Sequence, residues 1–493
     1  RGHVRRDGAE TLAAMAAGEG SQAPQSASRR TGPAGHWPVT ALTLAYVAVN
    51  SVIWVAADPS CRRVGGSCYV AADNWAGTIA DALLLHGALV QPDNPTEPWT
   101  LWPPGGGILE AIARFLAGGD DVSLYILLQL VLVFATGMLI RSTANRIVWP
   151  SGEWAMALFI FNPNVLTLAH LPQNEIPQMF LVTVAFLAVL RYASEPRVSL
   201  AVGCGVVLGT SAMIRPDTAF LGYALPAALP LVVVLAGTAG VASRAIWHGA
   251  IGAVAALAVM APWMAYVAAS GEGFRMSDRG QEVVLFRDNL RFLTPDRPGR
   301  QVTEARGQFY ATQEQRLSTS VENWGALSER ERSRHRLADV RQYFLSGAIS
   351  PGTYAIAFAY SVARILFGTG QSWTVALFSG ADPDEGGAAP VWYAGVALLF
   401  VVATRLLALA GMVRLVLWRR YDLLAACLGL FGYFLAIHLV NGQSRYRIVF
   451  EPELALLSSF GATWLSIWLQ RVRSPSPDKL VRPTRPHDGA STA

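Results

Sequence analysis

The apolar residues of this chain gather into long runs, most of them nearly uncharged over about 18 residues, the length that crosses a bilayer as a helix. Ten runs read as membrane spans: residues 39–57, 122–140, 154–171, 176–190, 198–214, 218–239, 245–269, 391–410, 423–440 and 448–469. The shorter ones borrow a turn from their flanks. Residues 351–368 form an eleventh apolar run, and the charges decide how it is read. With Arg5, Arg6, Arg29 and Arg30 in the cytoplasm, Arg141, Arg146, Arg191, Arg197 and Arg244 also fall inside, as the positive-inside rule asks. If the eleventh run crossed, Asp382, Asp384 and Glu385 would lie inside and Arg414, Arg419 and Arg420 outside. The run also carries Arg364, so it is expected as an interfacial helix on the outer leaflet, with both termini cytoplasmic.

The expected fold class is therefore an all-α polytopic membrane protein with about ten transmembrane helices and two large extracytoplasmic loops, 58–121 and 270–390, containing interfacial helices. The membrane domain occupies 37–470, between cytoplasmic tails 1–36 and 471–493 whose polar and Pro-rich compositions predict disorder. In the second loop Ser328 and Glu331 form a capping box and Gly347 is a stop signal. Leu337, Val340 and Phe344 recur between them at helical spacing, which predicts an amphipathic helix lying on the membrane surface.

Composition agrees with the pattern. Of the 493 residues 52% are hydrophobic and 15% are charged, against about 25% charged in an average soluble domain. That excludes a disordered chain and argues against a soluble enzyme. The net charge of +5 is accounted for by basic cytoplasmic loops, so no nucleic-acid partner is expected. Lys479 is the single lysine, so any phosphate clamp must be built from guanidinium groups. Cys204 and Cys427 sit in apolar runs as packing residues, whereas Cys61 and Cys68 flank a short Gly-containing stretch in an outer loop, where a disulfide is expected. No Cys pair has zinc-finger spacing.

Ionisable residues at membrane depth point to function, and the orientation brings them to one face. Asp73 lies in the first outer loop, Glu175 in the turn between the third and fourth spans, and Arg215 and Asp217 in the turn after the fifth. Arg445 and Arg447 lie between the ninth and tenth spans, with Glu451 one turn into the tenth. Each has a plainer reading: Asp73 as a solvated acid, the arginines as headgroup anchors, Glu175 as a helix cap. His170 and His438 fall near the outer ends of spans. Metal ligation beside Glu175 is one reading for them, and buried, hydrogen-bonded histidines the plainer one.

Five stretches, in order, resemble the GT-C superfamily of membrane glycosyltransferases, in the branch holding protein O-mannosyltransferases and aminoarabinose lipid A transferases. They are Asp73-Asn74-Trp75 through Gly87 to Pro103-Pro104-Gly105; Asn162-Pro163 followed by Glu175; Arg215-Pro216; Pro262-Trp263 with the loop beyond it; and Gln443-Ser444-Arg445-Tyr446-Arg447 with Pro452. The sequence departs from the family pattern at Asn74, where O-mannosyltransferases carry Glu, and at Trp102, where many relatives carry Arg or Lys.

The resemblance implies a GT-C fold and a sugar donor on a polyprenyl phosphate, transferred with inversion to a hydroxyl of a lipid, glycan or protein acceptor. It implies Asp73 as the base that deprotonates the acceptor. Arg215, Arg445 and Arg447 are then expected beside the donor phosphate, with Glu175, Tyr446, His170 and His438 as further site residues. No cofactor is firmly implied. A divalent metal would suit a phosphate donor, but the loop offers Asp73-Asn74 and no Asp-x-Asp pair. Two other classes compete. A transporter or flippase would also have many spans, but should show paired repeats and helices broken at the midplane. A scaffold protein would not need Asp73 and the arginines on one face.

Overall fold

The computed structural model describes residues 37–66, 75–92, 94–277, 299–327, 329–347, 350–380, 391–438 and 444–473. Seventeen α-helices are described: α1 (Trp37–Ala56), α2 (Trp75–His86), α3 (Gly105–Ala117), α4 (Ser123–Ile147), α5 (Ser151–Ile160), α6 (Pro163–Ala169), α7 (Glu175–Ser194), α8 (Val198–Ile214) and α9 (Ala219–Leu235). They continue with α10 (Ala242–Val267), α11 (Gly299–Ser320), α12 (Glu329–Leu345), α13 (Pro351–Phe367), α14 (Gln371–Ser379), α15 (Val391–Leu417), α16 (Tyr421–Ile437) and α17 (Glu451–Arg473). A small two-stranded antiparallel ribbon, β1 (Val90–Gln91) with β2 (Asn94–Pro98), lies in the first loop.

Among the described residues six helices are long and apolar enough to cross a membrane, and α8 and α16 are shorter apolar helices. The outward faces of the long helices are what a bilayer solvates: Val52 and Val55 on α1, Val131 on α4, Val254 on α10, Leu399 and Leu406 on α15 are all exposed. Six of the expected spans appear as helices of that kind; the expected span 448–469 is the single long helix α17, which is not among those meeting the hydropathy of a span. The expected span 154–171 is broken into α5 and α6 at Phe161–Asn162, because Pro163 at the first helical position cannot extend a preceding helix. The Asn162 side chain accepts the Asn164 N–H at 3.0 Å, starting a new helix there. The expected run 351–368 forms α13, Pro351–Phe367 with Gly368 as its C-cap, which is not among the helices that meet the length and hydropathy of a span.

The bundle has two packed groups. In one, α8 lies between α7 and α10, with α9 against α10. In the other, α17 packs on α15 and α5, and α5 on α4. The α15–α17 crossing depends on two glycines: a Cβ on Gly461 would meet the Leu407 carbonyl, and one on Gly411 the Leu457 carbonyl. Small residues let helix backbones approach this closely where no hydrophobic effect drives association. Contacts of α4 with α7 and of α9 with α16 join the groups.

Outside the bundle, α2 and α3 form a hairpin held by Arg114, which pairs with Asp81 at 2.7 Å. The helix expected between Ser328 and Gly347 is α12, and Gly347 adopts a left-handed φ of 75°. Its apolar face packs on α11: Val340 is buried, Tyr343 meets Phe309 edge to face at 5.4 Å, and Asp339 takes Gln313 at 2.9 Å. An amphipathic pattern requires a covered face without saying what covers it, and here a second helix does.

Candidate functional site

One end of the bundle collects the N-termini of α7, α9 and α17, the C-termini of α8, α13 and α16, and a 3₁₀ segment, Ser444–Phe450. Glu175 begins α7. The turn before it is fixed by Tyr125, whose hydroxyl donates to Asn174 Oδ1 at 3.2 Å, and by Gln129, which donates to the Leu171 carbonyl at 2.8 Å. The first turn of α3 seals it from the other side, since a Cβ on Gly106 would strike the Asn174 side chain.

Arg215 faces Glu175 because a proline follows it. Pro216 disfavours the helical region for its predecessor, so α8 ends and Arg215 is extended at φ −143°, ψ 125°. Its Nη1 then meets Glu175 Oε1 at 2.5 Å, and its Nε lies 3.4 Å from Asp217 Oδ2. Asp217, in the 3₁₀ turn Pro216–Thr218, is shared further: Oδ1 accepts from Gln178, and Oδ2 lies 3.2 Å from His438 Nε2. The Tyr433 hydroxyl donates to the Asp217 carbonyl at 2.5 Å. His438 caps α16 and stacks flat on Tyr446, with centroids 4.1 Å apart and planes 7° apart. The Tyr446 ring in turn carries Arg215 at 5.6 Å and Arg445 at 5.1 Å, and Arg445 also lies 5.2 Å over Trp373 of α14. Arg445 Nε is 3.9 Å from Glu175 Oε1.

A second cluster adjoins the first. Arg447 is completely buried, with its Nε 2.5 Å from Glu451 Oε1 and its Nη1 donating to the carbonyls of Ile365 and Gly368. Arg405 of α15 meets the same Glu451 oxygen at 2.7 Å and donates to the Leu366 carbonyl at 3.2 Å. Two guanidiniums thus cap the C-terminus of α13, where a helix leaves carbonyls unsatisfied and favours positive charge. Burial pulls the Arg447 guanidinium below its ordinary range even though Glu451 beside it opposes the shift. The neighbouring Glu453 is also buried, and neither of its oxygens has a hydrogen-bond partner among the described residues.

The structure thus brings Glu175, Arg215, Asp217, His438, Arg445 and Tyr446 together. It places Arg447 beside them but locks it between a carboxylate and a helix end, a geometry suited to a structural staple. His170 sits at the end of α6, its Nδ1 2.8 Å from the Leu166 carbonyl of its own helix. Asp73 and Cys68 lie outside the described residues; Cys61 is disulfide-bonded, while Cys204 and Cys427 are free and buried. Among the described residues no three His, Cys, Asp or Glu side chains group closely enough to hold a metal. Sequence reasoning did not find Gln178, Trp373 and Arg405. Arg405 had a signal, a charge within an apolar run; Gln178 and Trp373 had none.

The difference between the two arginines is measurable. Arg447→Ala would strand the carbonyls of Ile365 and Gly368 and leave Glu451 with Arg405 alone; breaking a buried pair costs about 3–5 kcal/mol. Arg445→Ala, which removes ring contacts and a long ion pair, should cost much less. Thermal melts in detergent should show a large fall for the first variant and a small one for the second. Equal melting temperatures would remove Arg447 from the staple role.

No family model and no curated protein matches the chain. Solved structures do. Against the oligosaccharyltransferase AglB from Archaeoglobus fulgidus, in complex with an inhibitory peptide and a dolichol-phosphate, identity is 16% over 93% of this chain and 53% of that one, with a TM-score of 0.48. The Archaeoglobus fulgidus oligosaccharyltransferase tethered with an acceptor peptide containing the NVT sequon matches at 15% identity, 89% and 51% coverage, and a TM-score of 0.50. ArnT from Cupriavidus metallidurans, bound to undecaprenyl phosphate, matches at 16% identity, 89% and 82% coverage, and a TM-score of 0.37. The chain spans about half the length of the oligosaccharyltransferase chains. With its helices packed as described and this likeness in fold, the chain is an all-α, multi-pass membrane protein whose fold is similar to that of the Archaeoglobus fulgidus oligosaccharyltransferase.

Proposed function

We propose that this protein transfers a sugar from a polyprenyl-phosphate donor to an acceptor hydroxyl at the extracytoplasmic face of the cell's inner or plasma membrane. The observation that carries this reading is the arginine and carboxylate cluster of Arg215, Arg445, Glu175 and Asp217 at one end of an apolar bundle. A donor with a polyprenyl tail and a phosphate head needs both environments at once: an apolar groove between helices and fixed guanidinium donors at its mouth. Arg445 and Arg215 are the residues we assign to the phosphate, with Trp373 and Tyr446 beneath them. Arg447 and Arg405 hold the end of α13 against this surface.

In the reaction the acceptor oxygen bonds to the anomeric carbon from the face opposite the phosphate. The carbon–oxygen bond to phosphate breaks, its electron pair stays on the departing lipid phosphate, and the configuration inverts. The hydroxyl proton passes to a carboxylate, which we assign to Asp73. Helix α2 begins two residues after it and packs on α3, whose first turn lies against Asn174 and Met213, the neighbours of Glu175 and Arg215. The arginines at the opposite ends of the helices, Arg141, Arg146, Arg191, Arg197, Arg244 and Arg414, support a cytoplasmic side there and an outward-facing site.

The test is to incubate purified protein with a panel of polyprenyl-phosphate sugars and to measure released polyprenyl phosphate. Release is expected from at least one donor, and Asp73→Asn should slow it by about 100-fold or more while lipid binding persists. Absence of release across the panel would sink the activity; undiminished turnover in Asp73→Asn would move the base elsewhere.

Orientation is tested separately by labelling Asp384→Cys. An impermeant reagent should reach it in intact cells. Labelling only after permeabilisation would place residues 381–390 inside and reverse the assignment of the site's face.

A further inference from the structure

We propose that His438 takes up one proton when a phosphate anion enters between Arg215 and Arg445, and that the charged ring then forms part of the anion site. This rests on the reading that the site receives a polyprenyl phosphate.

The reason is a charge balance. Around the Tyr446 ring two guanidiniums, Arg215 and Arg445, face two carboxylates, Glu175 and Asp217. Formally the cluster is neutral, so it is a poor host for a phosphate carrying up to two negative charges unless more positive charge arrives. The adjoining cluster has Arg405 and Arg447 on one carboxylate, Glu451, but both arginines are fixed to carbonyls of α13. Among the described residues of the first cluster, the group left to gain positive charge is His438.

Its geometry suits that role. An ionised carboxylate only accepts hydrogen bonds, so the 3.2 Å contact with Asp217 Oδ2 places the proton of the neutral ring on Nε2. Nδ1 is then left with a lone pair. It is buried, and it has no hydrogen-bond partner among the described residues. The ring cannot easily turn this atom elsewhere, because it is stacked parallel to Tyr446 at 4.1 Å and to Phe434 at 6.3 Å, with Nε2 held by Asp217. The groups facing it come from every neighbouring element: Glu175 from α7, Arg215 and Asp217 from the turn after α8, Arg445 and Tyr446 from the 3₁₀ segment, and Tyr433 from its own helix. Burial and the guanidinium charge oppose a proton on His438, and the two carboxylates favour it. An incoming phosphate tips this balance toward the proton. By reciprocity, the proton then strengthens the phosphate.

The experiment is calorimetric titration of the full chain in detergent with undecaprenyl phosphate at pH 7.5, in two buffers of different ionisation enthalpy. The heat should depend on the buffer with the sign of proton uptake, approaching about one proton per lipid bound. His438→Gln should bind the lipid about three- to tenfold more weakly, with no buffer dependence. His438→Asn serves if the first variant does not fold, and the wild-type slope is read in either case. Binding with no buffer dependence in the wild type would overturn the inference and leave the phosphate site standing. Uptake retained in the variant would overturn it too, by assigning the proton to the phosphate or another group. No binding to either protein would overturn the reading of the site and this inference with it.

Discussion

An arginine carried into an apolar bundle must find a carboxylate there, or the helix that bears it will not sit at that depth. Much of this structure follows from meeting that demand four times at one end of the bundle. Arg215 is neutralised by Glu175 and Asp217, and Arg445 lies near Glu175; Arg405 and Arg447 share Glu451. These pairs connect segments far apart in sequence: the turn opening α7, the turn between α8 and α9, α15, and the 3₁₀ segment that leads into α17. The ion pairs therefore set how helix ends meet, and apolar packing below them fills the space they define.

The two clusters differ in what they can still do. The Arg405–Arg447–Glu451 cluster is spent on the end of α13, where three carbonyls take guanidinium donors. The Arg215–Glu175–Asp217 cluster meets aromatic faces instead, and its second cation, Arg445, rests on Trp373 and Tyr446. A chemical site needs both kinds of arrangement: a rigid frame that does not move when ligand binds, and side chains whose partners an anion can replace. The sharing of Asp217 between Arg215, Gln178 and His438 couples the two carboxylates and the histidine into one network, in which low dielectric makes each partner's charge felt by the others.

Much of this was legible in the sequence. The apolar runs located the long helices, and Arg215-Pro216 marked the helix end that places the arginine in the turn after α8, because proline constrains its predecessor. The break in 154–171 was also written there, as an asparagine cap followed by proline at Asn162-Pro163, but run length masked it. Arg447 was harder. Its partner Glu451 stands at helical spacing, yet the carbonyls that fix it come from Ile365 and Gly368, some eighty residues away. Spacing within a segment cannot reveal a partner in another. The same limit applies to α12: its pattern showed a covered face, while α11 as the cover was decided by tertiary packing.

The meeting of α7 and α8 depends on the ion pair between half-buried Arg215 and buried Glu175. A double-mutant cycle tests it most directly, using Glu175→Gln, Arg215→Gln and the double variant, with thermal or denaturant unfolding in detergent as the readout. Each single variant should lose stability, and the double variant should lose less than the sum of the two single losses, with a coupling of about 1–3 kcal/mol. Losses that simply add would mean that the two side chains are neighbours without being partners, and would contradict the account.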